Sequence, residues 1–355
     1  MATYTPAAGQ HAYRMLGPVV EIEGQWAPQM VVQEIHRGLG ARLHRATLAL
    51  RPDDGHVWRF DAIGDLLRPG ARLRIYEPVE GQAAAQEMLL WPLFDGVFSG
   101  GVGEISGDRD EATFDAIDAM AFFDRRQPVM LMTGATTSEQ LPVVFNPSGE
   151  GNRSATRESV GASSAYVFAD HGGAQWTTAE AVEFLQAAAM PSGALNDADQ
   201  AALTRVLGKQ ELVNLDVTGL SGLAALQRTL GRAGVVFTRV TVPVGQSCVT
   251  RWVFLREGVG RRRRIGLQQA GEVLNLGKSN ILSGRIKREQ QPGEFQGTVE
   301  LPFVHPDIWP GDVIDGVDRR RLDFHLRRHH QAALPMIREV VLRFDDRFTT
   351  TVVFK

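Results

Sequence analysis

The stretch from residue 61 to residue 118 constrains the fold of this chain more than any other. A strong turn signal, Pro69-Gly70, precedes a run in which Leu73 and Ile75 alternate with charged residues, and this is the period of a half-buried strand. Phe94–Phe98 opens a second predicted strand, and this strand contains glycines that allow it to bend. These glycines are Gly96, Gly100, Gly101 and Gly103. The pattern predicts a small antiparallel β-barrel.

A second set of strands lies in the C-terminal part of the chain. Leu215–Val242 predicts a strand, then a helix that Ser221 can cap, then a returning strand. Trp309–Ile314 again places Pro-Gly before an apolar strand, as Pro69-Gly70 does earlier. Four further strands are predicted at Asn280–Arg288, Phe295–Leu301, Met336–Phe344 and Phe348–Phe354. The C-terminal part therefore repeats the barrel pattern.

Residues 127–211 differ in character, and we expect an inserted peripheral lobe there. Phe145–Arg153 is polar and glycine-rich, with a spacing that matches neither a P-loop nor a dinucleotide fingerprint. We expect a loop at this point and assign it no role. Thr177 with Glu180 three residues later forms a capping box, which predicts the start of a helix. A second short helix is predicted over Asp197–Leu207.

The length of the chain, 355 residues, favours at least two domains. We predict a flexible N-terminal arm at 1–12, a first tube-like β-barrel at 13–126 and the peripheral lobe at 127–211. A second tube-like β-barrel is predicted at 212–355, within which 302–335 is a candidate peripheral segment. The predicted fold class is mainly β with a few helices (α+β), built from two tandem antiparallel β-barrels and the lobe.

Composition narrows the function classes. The first residues lack the basic-then-apolar pattern of a secretion signal, and no window approaches the apolar length of a membrane span. We therefore expect a protein that stays in the cytoplasm of the cell that makes it. The single cysteine, Cys248, excludes an internal disulfide and a thiolate-cluster metal site, and its β-rich surroundings predict a buried, inert thiol. His44, in a strand-like run, is expected to be structural.

The net charge of −3 is unevenly distributed. Residues 251–355 contain 19 lysines and arginines against 13 aspartates and glutamates, a local balance of +6. The first 250 residues contain 19 against 28, a balance of −9. The basic segments are isolated and lack interleaved aromatic residues, so this asymmetry is typical of a charged contact surface rather than of a sequence-specific nucleic-acid reader.

Several short segments together resemble the central baseplate hub of contractile-tailed phages and related injection machines. They read LLRPGARLRIYE, LFDGVFSG, LDVTGLSGLAALQRTLGRAGVVF, SNILSGRIKRE, WPGDVIDG and FTTTVVFK, and the resemblance covers roughly Arg14–Lys355. The resemblance implies two similar β-barrels, each with a helix, joined with peripheral lobes. Three copies would form a ring of six barrels that adapts the six-fold tail tube to the three-fold spike. The family has no catalytic motif to assign.

The resemblance also implies partners. The chain would form a homotrimer. Its other partners would be the tail tube or tube-initiator protein, the central spike protein, the baseplate wedge proteins and the tape measure protein. DNA would pass through the lumen without sequence-specific binding, and the protein would lie in the tail baseplate of a virion after assembly in the host cytoplasm. We also expect unpaired strand edges, such as Thr349–Val353, to lie at contacts between protomers, because exposed edges promote aggregation unless a neighbour covers them.

A structural role has two alternatives, a metal-dependent enzyme and a carbohydrate-binding module. In a metal-dependent enzyme, His325 and His329 would share a helix face at metal-ligand spacing, but the motif lacks a glutamate between them and Arg327 and Arg328 would repel a cation. No G-x-S-x-G elbow supports a hydrolase. We expect no catalytic, cofactor-binding or metal-binding residues and no enzymatic activity.

A carbohydrate-binding baseplate module is the other alternative. Six tryptophans could supply stacking platforms, but their positions within strands favour core packing. They are Trp26, Trp58, Trp91, Trp176, Trp252 and Trp309. The basic run Arg261–Arg264 is expected to lie on an exposed hairpin turn rather than at a nucleic-acid contact.

Overall fold

The computed structural model is mainly β, and its described residues include three helices. The described residues are 2–4, 17–50, 66–79, 88–106, 109–118, 120–121, 131–132, 140–141, 144–146, 176–189, 195–207, 215–244, 247–265, 282–288, 295–317, 334–344 and 348–355. The helices are α1 (Thr178–Ala189), α2 (Asp197–Leu207) and α3 (Gly222–Arg232). The predicted α+β fold class, with strands dominant, is confirmed.

The described residues of the N-terminal third of the chain form eight strands. They are β1 (Ala2–Tyr4), β2 (Val19–Ile22), β3 (Gln25–Trp26), β4 (Met30–Gly38), β5 (Arg45–Leu50), β6 (Arg72–Val79), β7 (Met88–Ser106) and β8 (Arg109–Asp118). β7 is longer than predicted, because it begins at Met88 rather than near Phe94.

The described residues of the remaining two thirds form twelve strands. They are β9 (Leu131–Met132), β10 (Gln140–Leu141), β11 (Val144–Phe145), β12 (Leu215–Asp216), β13 (Val235–Val244), β14 (Ser247–Arg256), β15 (Arg262–Ile265), β16 (Ser283–Arg288), β17 (Phe295–Pro302), β18 (Val313–Val317), β19 (Ile337–Arg343) and β20 (Thr349–Phe354). The four C-terminal strand ranges predicted from sequence agree with β16, β17, β19 and β20 to within a few residues.

One 12-stranded sheet contains strands from both predicted barrel ranges. Its hydrogen-bonded order is β16-β17-β20-β19-β4-β5-β8-β7-β6-β2-β3, and β1 pairs with β7 off this path. The two sets meet where β19 pairs antiparallel with β4, with Val341 opposite His36. Within the described residues the path has two ends and does not close, so the two closed barrels stay a prediction.

The first residues correct one expectation. Residues 1–12 were predicted to be a flexible arm, but Ala2–Tyr4 forms strand β1 and pairs antiparallel with Met88–Leu90 of β7. The pairing of β8 with β7 begins only at Gly96, so β8 leaves the first residues of β7 without a neighbour on one side. An extended N-terminal segment can satisfy those backbone groups. The remainder of the arm lies outside the described residues.

The predicted alternation in β6 places apolar side chains in the core. Leu73 and Ile75 are fully buried, whereas Arg72 is exposed. Gly70 adopts φ +87° in the turn before this strand, a conformation that favours glycine. Gly96 of β7 is required by close packing, because a Cβ atom there would lie 2.4 Å from the carbonyl oxygen of Ile117. Sequence and backbone geometry therefore agree in this region.

The helices begin where the sequence predicts. At the start of α1, the Glu180 carboxylate accepts from the backbone N–H of Thr177 at 2.9 Å, and the Thr177 hydroxyl accepts from the N–H of Glu180 at 3.3 Å. This reciprocal pair is the predicted capping box. At the start of α3, the Ser221 hydroxyl accepts from the N–H of Ala224 at 3.3 Å. The predicted range of α2 is also confirmed.

The chain divides into two compact units. Unit 1 comprises 1–119, 239–251 and 258–355, and unit 2 comprises 120–238 and 252–257. Unit 2 therefore includes 212–238, a stretch that the sequence analysis placed in the second barrel range. One buried cluster of unit 2 contains Phe145, Trp176, Ala181, Leu185, Leu215, Val217 and Ala225. Packing between strand β12, helix α1 and helix α3 explains why the segment around Leu215 belongs to this unit.

Candidate functional site

A buried cation lies in unit 1. Arg37 of β4 is 0% exposed. Its Nη1 donates to the carbonyl oxygens of Pro306 at 2.9 Å and Ile308 at 3.1 Å, and its Nη2 donates to that of Leu93 at 3.1 Å. Burial lowers the pKa of Arg37 to about 9, and the carboxylates of Glu77 and Asp307 oppose this shift. The guanidinium is charged at neutral pH and connects three separate segments, which is a structural role.

His44 has the structural environment predicted for it. Its ring is buried, with Nε2 at 3.2 Å from the Gly38 carbonyl oxygen and Nδ1 at 3.9 Å from the Asp118 carboxylate. Burial lowers the pKa of His44 to about 4, and the cations Arg37 and Arg239 act in the same direction, whereas Asp118 opposes them. The imidazole is therefore neutral at pH 7.

The basic run Arg261–Arg264 departs from the expected exposed hairpin turn. Arg262–Ile265 forms β15, which pairs in parallel with β18 rather than within a hairpin. Arg263 is only 7% exposed, and its guanidinium lies 2.7 Å from the Asp312 carboxylate and 2.5 Å from that of Asp307. Arg261 and Arg262 are exposed. Sequence reasoning failed for Arg263 because both carboxylates lie more than forty residues further along the chain.

A network of charged side chains follows the junction between β4 and β19. Glu34 accepts from Arg343 Nε at 2.8 Å and also contacts His36. Glu339 contacts His36 Nδ1 at 3.3 Å and Arg42 Nη1 at 2.9 Å. Burial raises the pKa of Glu34, but the stronger combined effect of Arg343 and His36 lowers it. These charged contacts join two strands that lie more than 300 residues apart in the chain, and they can fix the register of the strand pair.

Cys248 is buried, as predicted. Its sulfur lies 3.7 Å from the Tyr76 hydroxyl, which also donates to the Glu21 carboxylate at 3.1 Å. Burial raises the pKa of the Cys248 thiol, as does the nearby Asp95 carboxylate. The thiolate that a nucleophile requires is therefore disfavoured.

The five described tryptophans occupy the positions expected of packing residues. Trp176, Trp252 and Trp309 are buried, and Trp26 and Trp91 are half-buried. A carbohydrate platform needs an exposed ring face, and none of these five side chains is exposed. Trp58 lies outside the described residues.

The described residues contain no group of three or more His, Cys, Asp and Glu side chains that could hold a metal ion. His325 and His329, the candidate ligands from the sequence, lie outside the described residues, as do residues 147–153 of the glycine-rich segment. None of the described helices is long and apolar enough to cross a membrane.

The strand edge expected at Thr349–Val353 was predicted wrongly. β20 lies inside the sheet, with β17 on one side and β19 on the other. Its threonines and valines are β-branched and suit a central strand as well as an edge, so composition could not distinguish the two. The end strands of the described sheet are β16 and β3 instead.

Three exposed apolar side chains lie near β16, and we call them the apolar patch. Leu282 is 47% exposed, Phe303 is 72% exposed and Phe348 is 41% exposed. In the register of the sheet, Leu282 precedes β16, Phe303 follows β17 and Phe348 precedes β20, so all three lie at the same end of three adjacent strands. Sequence analysis missed Phe303, since a single phenylalanine after a strand gives no periodic signal.

The sequence and the structure give different results when they are compared with known proteins. No protein-family model matches the sequence, and no curated protein matches it. The structure matches the E. coli c3393 protein, a component of the type VI secretion system with structural similarity to the T4 bacteriophage tail proteins gp27 and gp5. That match has a TM-score of 0.50 at 13% identity and covers 94% of this chain and 76% of the other.

Two tail proteins give lower TM-scores. The 43 kDa tail protein of prophage MuSo2 from Shewanella oneidensis gives 0.49 at 10% identity, covering 96% of each chain. The tail protein from Neisseria meningitidis MC58 gives 0.47 at 10% identity, again covering 96% of each chain. The fold shared with the type VI secretion component confirms, at the level of fold, the resemblance to tail and baseplate proteins that the sequence segments indicated.

Proposed function

We propose that this chain is a structural protein of a phage tail or related injection machine. In this role it is the central baseplate hub, which as a trimer adapts a six-fold tail tube to a three-fold spike and forms part of the channel. The observation that carries the proposal is the fold shared with a type VI secretion component over 94% of this chain.

The buried contacts of the described residues favour a structural role for the protein. The buried cation Arg37 and the ion pairs of Arg263 stabilise one conformation, and both involve segments that are distant in sequence. Rigid sheets held in this way can transmit force between a tube and a spike. The proposed role requires no chemical turnover, and we propose none.

The proposed partners follow from the proposed role. A homotrimer would contact the tube or tube-initiator protein on one side and the central spike on the other, with wedge proteins around it and the tape measure protein at the channel. DNA would pass through the lumen without base-specific contacts. Two quasi-equivalent barrels per chain would present six similar faces in a closed three-fold ring.

Quantitative mass spectrometry of purified tail particles tests the proposal. Three copies of this chain per particle are expected, together with chemical cross-links to tube and spike proteins. Deletion of the gene should leave spikes that do not join tubes. Intact, infective or secreting particles that lack the chain would refute the role.

Native mass spectrometry of the purified protein, alone and with its neighbouring tail proteins, examines the oligomeric state directly. A chain that stays monomeric at high concentration with tube and spike proteins present would contradict the hub assignment.

A further inference from the structure

We propose that Phe303 is an anchor that inserts into an apolar pocket of a different protein, and that Leu282 and Phe348 complete this contact as the rest of the apolar patch. The partner is defined by its chemistry: its pocket accepts a phenyl ring, and its polar rim meets both an acidic and a basic side chain. This contact is separate from assembly of the chain with copies of itself, so it goes beyond the proposed hub.

The three side chains of the patch lie at one end of neighbouring strands. Pro302 pairs with Thr349, so Phe303 and Phe348 are the next residues along β17 and β20. Leu282 precedes β16, which lies on the other side of β17. Apolar side chains of this size are usually buried on folding or on association. Their grouping at one end of the sheet therefore marks a contact surface.

The backbone at Phe303 is strained and held in place. Phe303 adopts φ +66°, a conformation that disfavours a bulky side chain. The Thr350 hydroxyl donates to the Phe303 carbonyl oxygen at 3.0 Å, and the backbone N–H of His305 donates to that hydroxyl at 2.8 Å. These bonds fix the turn while the ring stays 72% exposed. Strain that is maintained without burial of the side chain points to recognition, and a turn fixed before binding lowers the entropic cost of association.

The charged side chains beside the patch favour a protein partner over a lipid surface. Glu300 lies on β17, where its carboxylate accepts from the Ser283 hydroxyl at 2.9 Å, and Arg285 of β16 is exposed. Binding to an anionic membrane surface favours basic residues, whereas a protein interface surrounds an apolar centre with a polar rim. A fluid lipid surface also gains little from a fixed turn at Phe303, whereas a shaped pocket gains affinity from it.

A second copy of the chain has no comparable receiving surface among its described residues. Apart from the patch, the exposed large apolar side chains there are Val249 and Val259. Val249 lies near the start of β14 and Val259 follows the end of that strand, so the two do not line one pocket. Two copies could still face each other patch to patch, which would give a two-fold dimer. The geometry therefore favours a different protein as the occupant.

Photo-cross-linking identifies the occupant. The full chain is produced in its own cells with p-benzoylphenylalanine in place of Phe303, and the same group in place of Val259 is the control, because Val259 is exposed but lies outside the patch. On irradiation we expect a covalent adduct between position 303 and one different protein, and no such adduct from position 259. An adduct with a second copy of the chain, or no protein adduct at position 303, would overturn the proposal.

Binding of the purified partner to variants of the full chain measures the contribution of the anchor. Phe303→Gly removes the ring and relieves the positive φ, so it should keep the wild-type unfolding temperature. We expect Phe303→Gly and Phe348→Ser each to raise the dissociation constant about tenfold or more, and Val259→Ser to leave it unchanged. Folded patch variants that bind as tightly as the wild type would refute the anchor role. Copy number in tail particles judges the hub role separately.

Discussion

The guanidinium carbon of Arg37 lies 3.7 Å from the centroid of the Trp309 ring. Cation–π attraction strengthens when water is excluded, and this arginine is fully buried. The same guanidinium donates to the carbonyl groups of Leu93, Pro306 and Ile308. Trp309 thus covers the face of a cation whose two terminal nitrogens donate to backbone carbonyl groups, and the pair joins β4 to the segment before β18.

Arg37→Lys should lower the free energy of unfolding by about 3 kcal/mol. Lysine has no planar fork to reach the three carbonyl groups together, and its ammonium group is more strongly hydrated, so burial is less favourable. Urea denaturation at neutral pH measures the change. Arg42→Lys is the control, because Arg42 is 66% exposed, and it should change stability by about 0.5 kcal/mol or less. Equal effects would contradict the structural role of Arg37.

His44 should make stability depend on pH. The pKa of His44 is lowered from 6.5 to about 4 in the folded protein, so the unfolded state binds a proton more readily. The stability conferred by the neutral ring is complete above pH 6.5 and is lost as pH falls toward 4. Relative to His44→Gln, the wild type should lose about 1.4 kcal/mol per pH unit within this window.

The comparison with His44→Gln removes the opposing contribution of Glu77 to the pH dependence of stability. Burial raises the pKa of Glu77 to about 7 although Arg37 acts against this shift, so stability from the protonated Glu77 falls as pH rises. Both proteins contain Glu77, and its effect cancels in the difference. Parallel pH profiles of the wild type and His44→Gln would show that His44 is not a buried neutral histidine.

Neighbouring arginines of β15 should differ sharply in their effect on stability. Arg263→Met leaves the carboxylate of Asp312 buried without its cation and should destabilise the protein by about 3 kcal/mol. Burial already raises the pKa of Asp312, and Arg263 opposes that shift. Arg262→Met, at an exposed position, should change stability by about 0.5 kcal/mol or less. Chemical denaturation of both variants measures these changes in stability. Equal changes would contradict the buried ion pairs of Arg263 and favour the exposed turn expected from the sequence.

The capping box of α1 gives a prediction for unit 2. Thr177→Ala removes the hydroxyl that accepts from the N–H of Glu180 and should destabilise the helix by about 1 kcal/mol. Faster amide exchange in the first turn of α1 is the measurement. Thr204→Ala is the matched control, since Thr204 is exposed on α2 and its hydroxyl donates to the Gln200 carbonyl oxygen of the same helix. Unchanged exchange in Thr177→Ala would show that packing alone sets the helix start.

The sequence by itself determined the local structure. Alternation located β6, the Thr177 and Glu180 pair located the start of α1, and Ser221 located that of α3, because these signals act between residues a few positions apart. The resemblance to tail proteins also depended on such local segments. The tertiary structure confirmed these elements and their fold class.

Only the tertiary structure decided which elements meet. The pairing of β19 with β4, the interior position of β20 and the carboxylate partners of Arg263 all join residues far apart in the chain. β-branched residues are enriched in strands at the edge and in the centre of a sheet, so composition does not locate β20, and a lone arginine gives no sign of its partners.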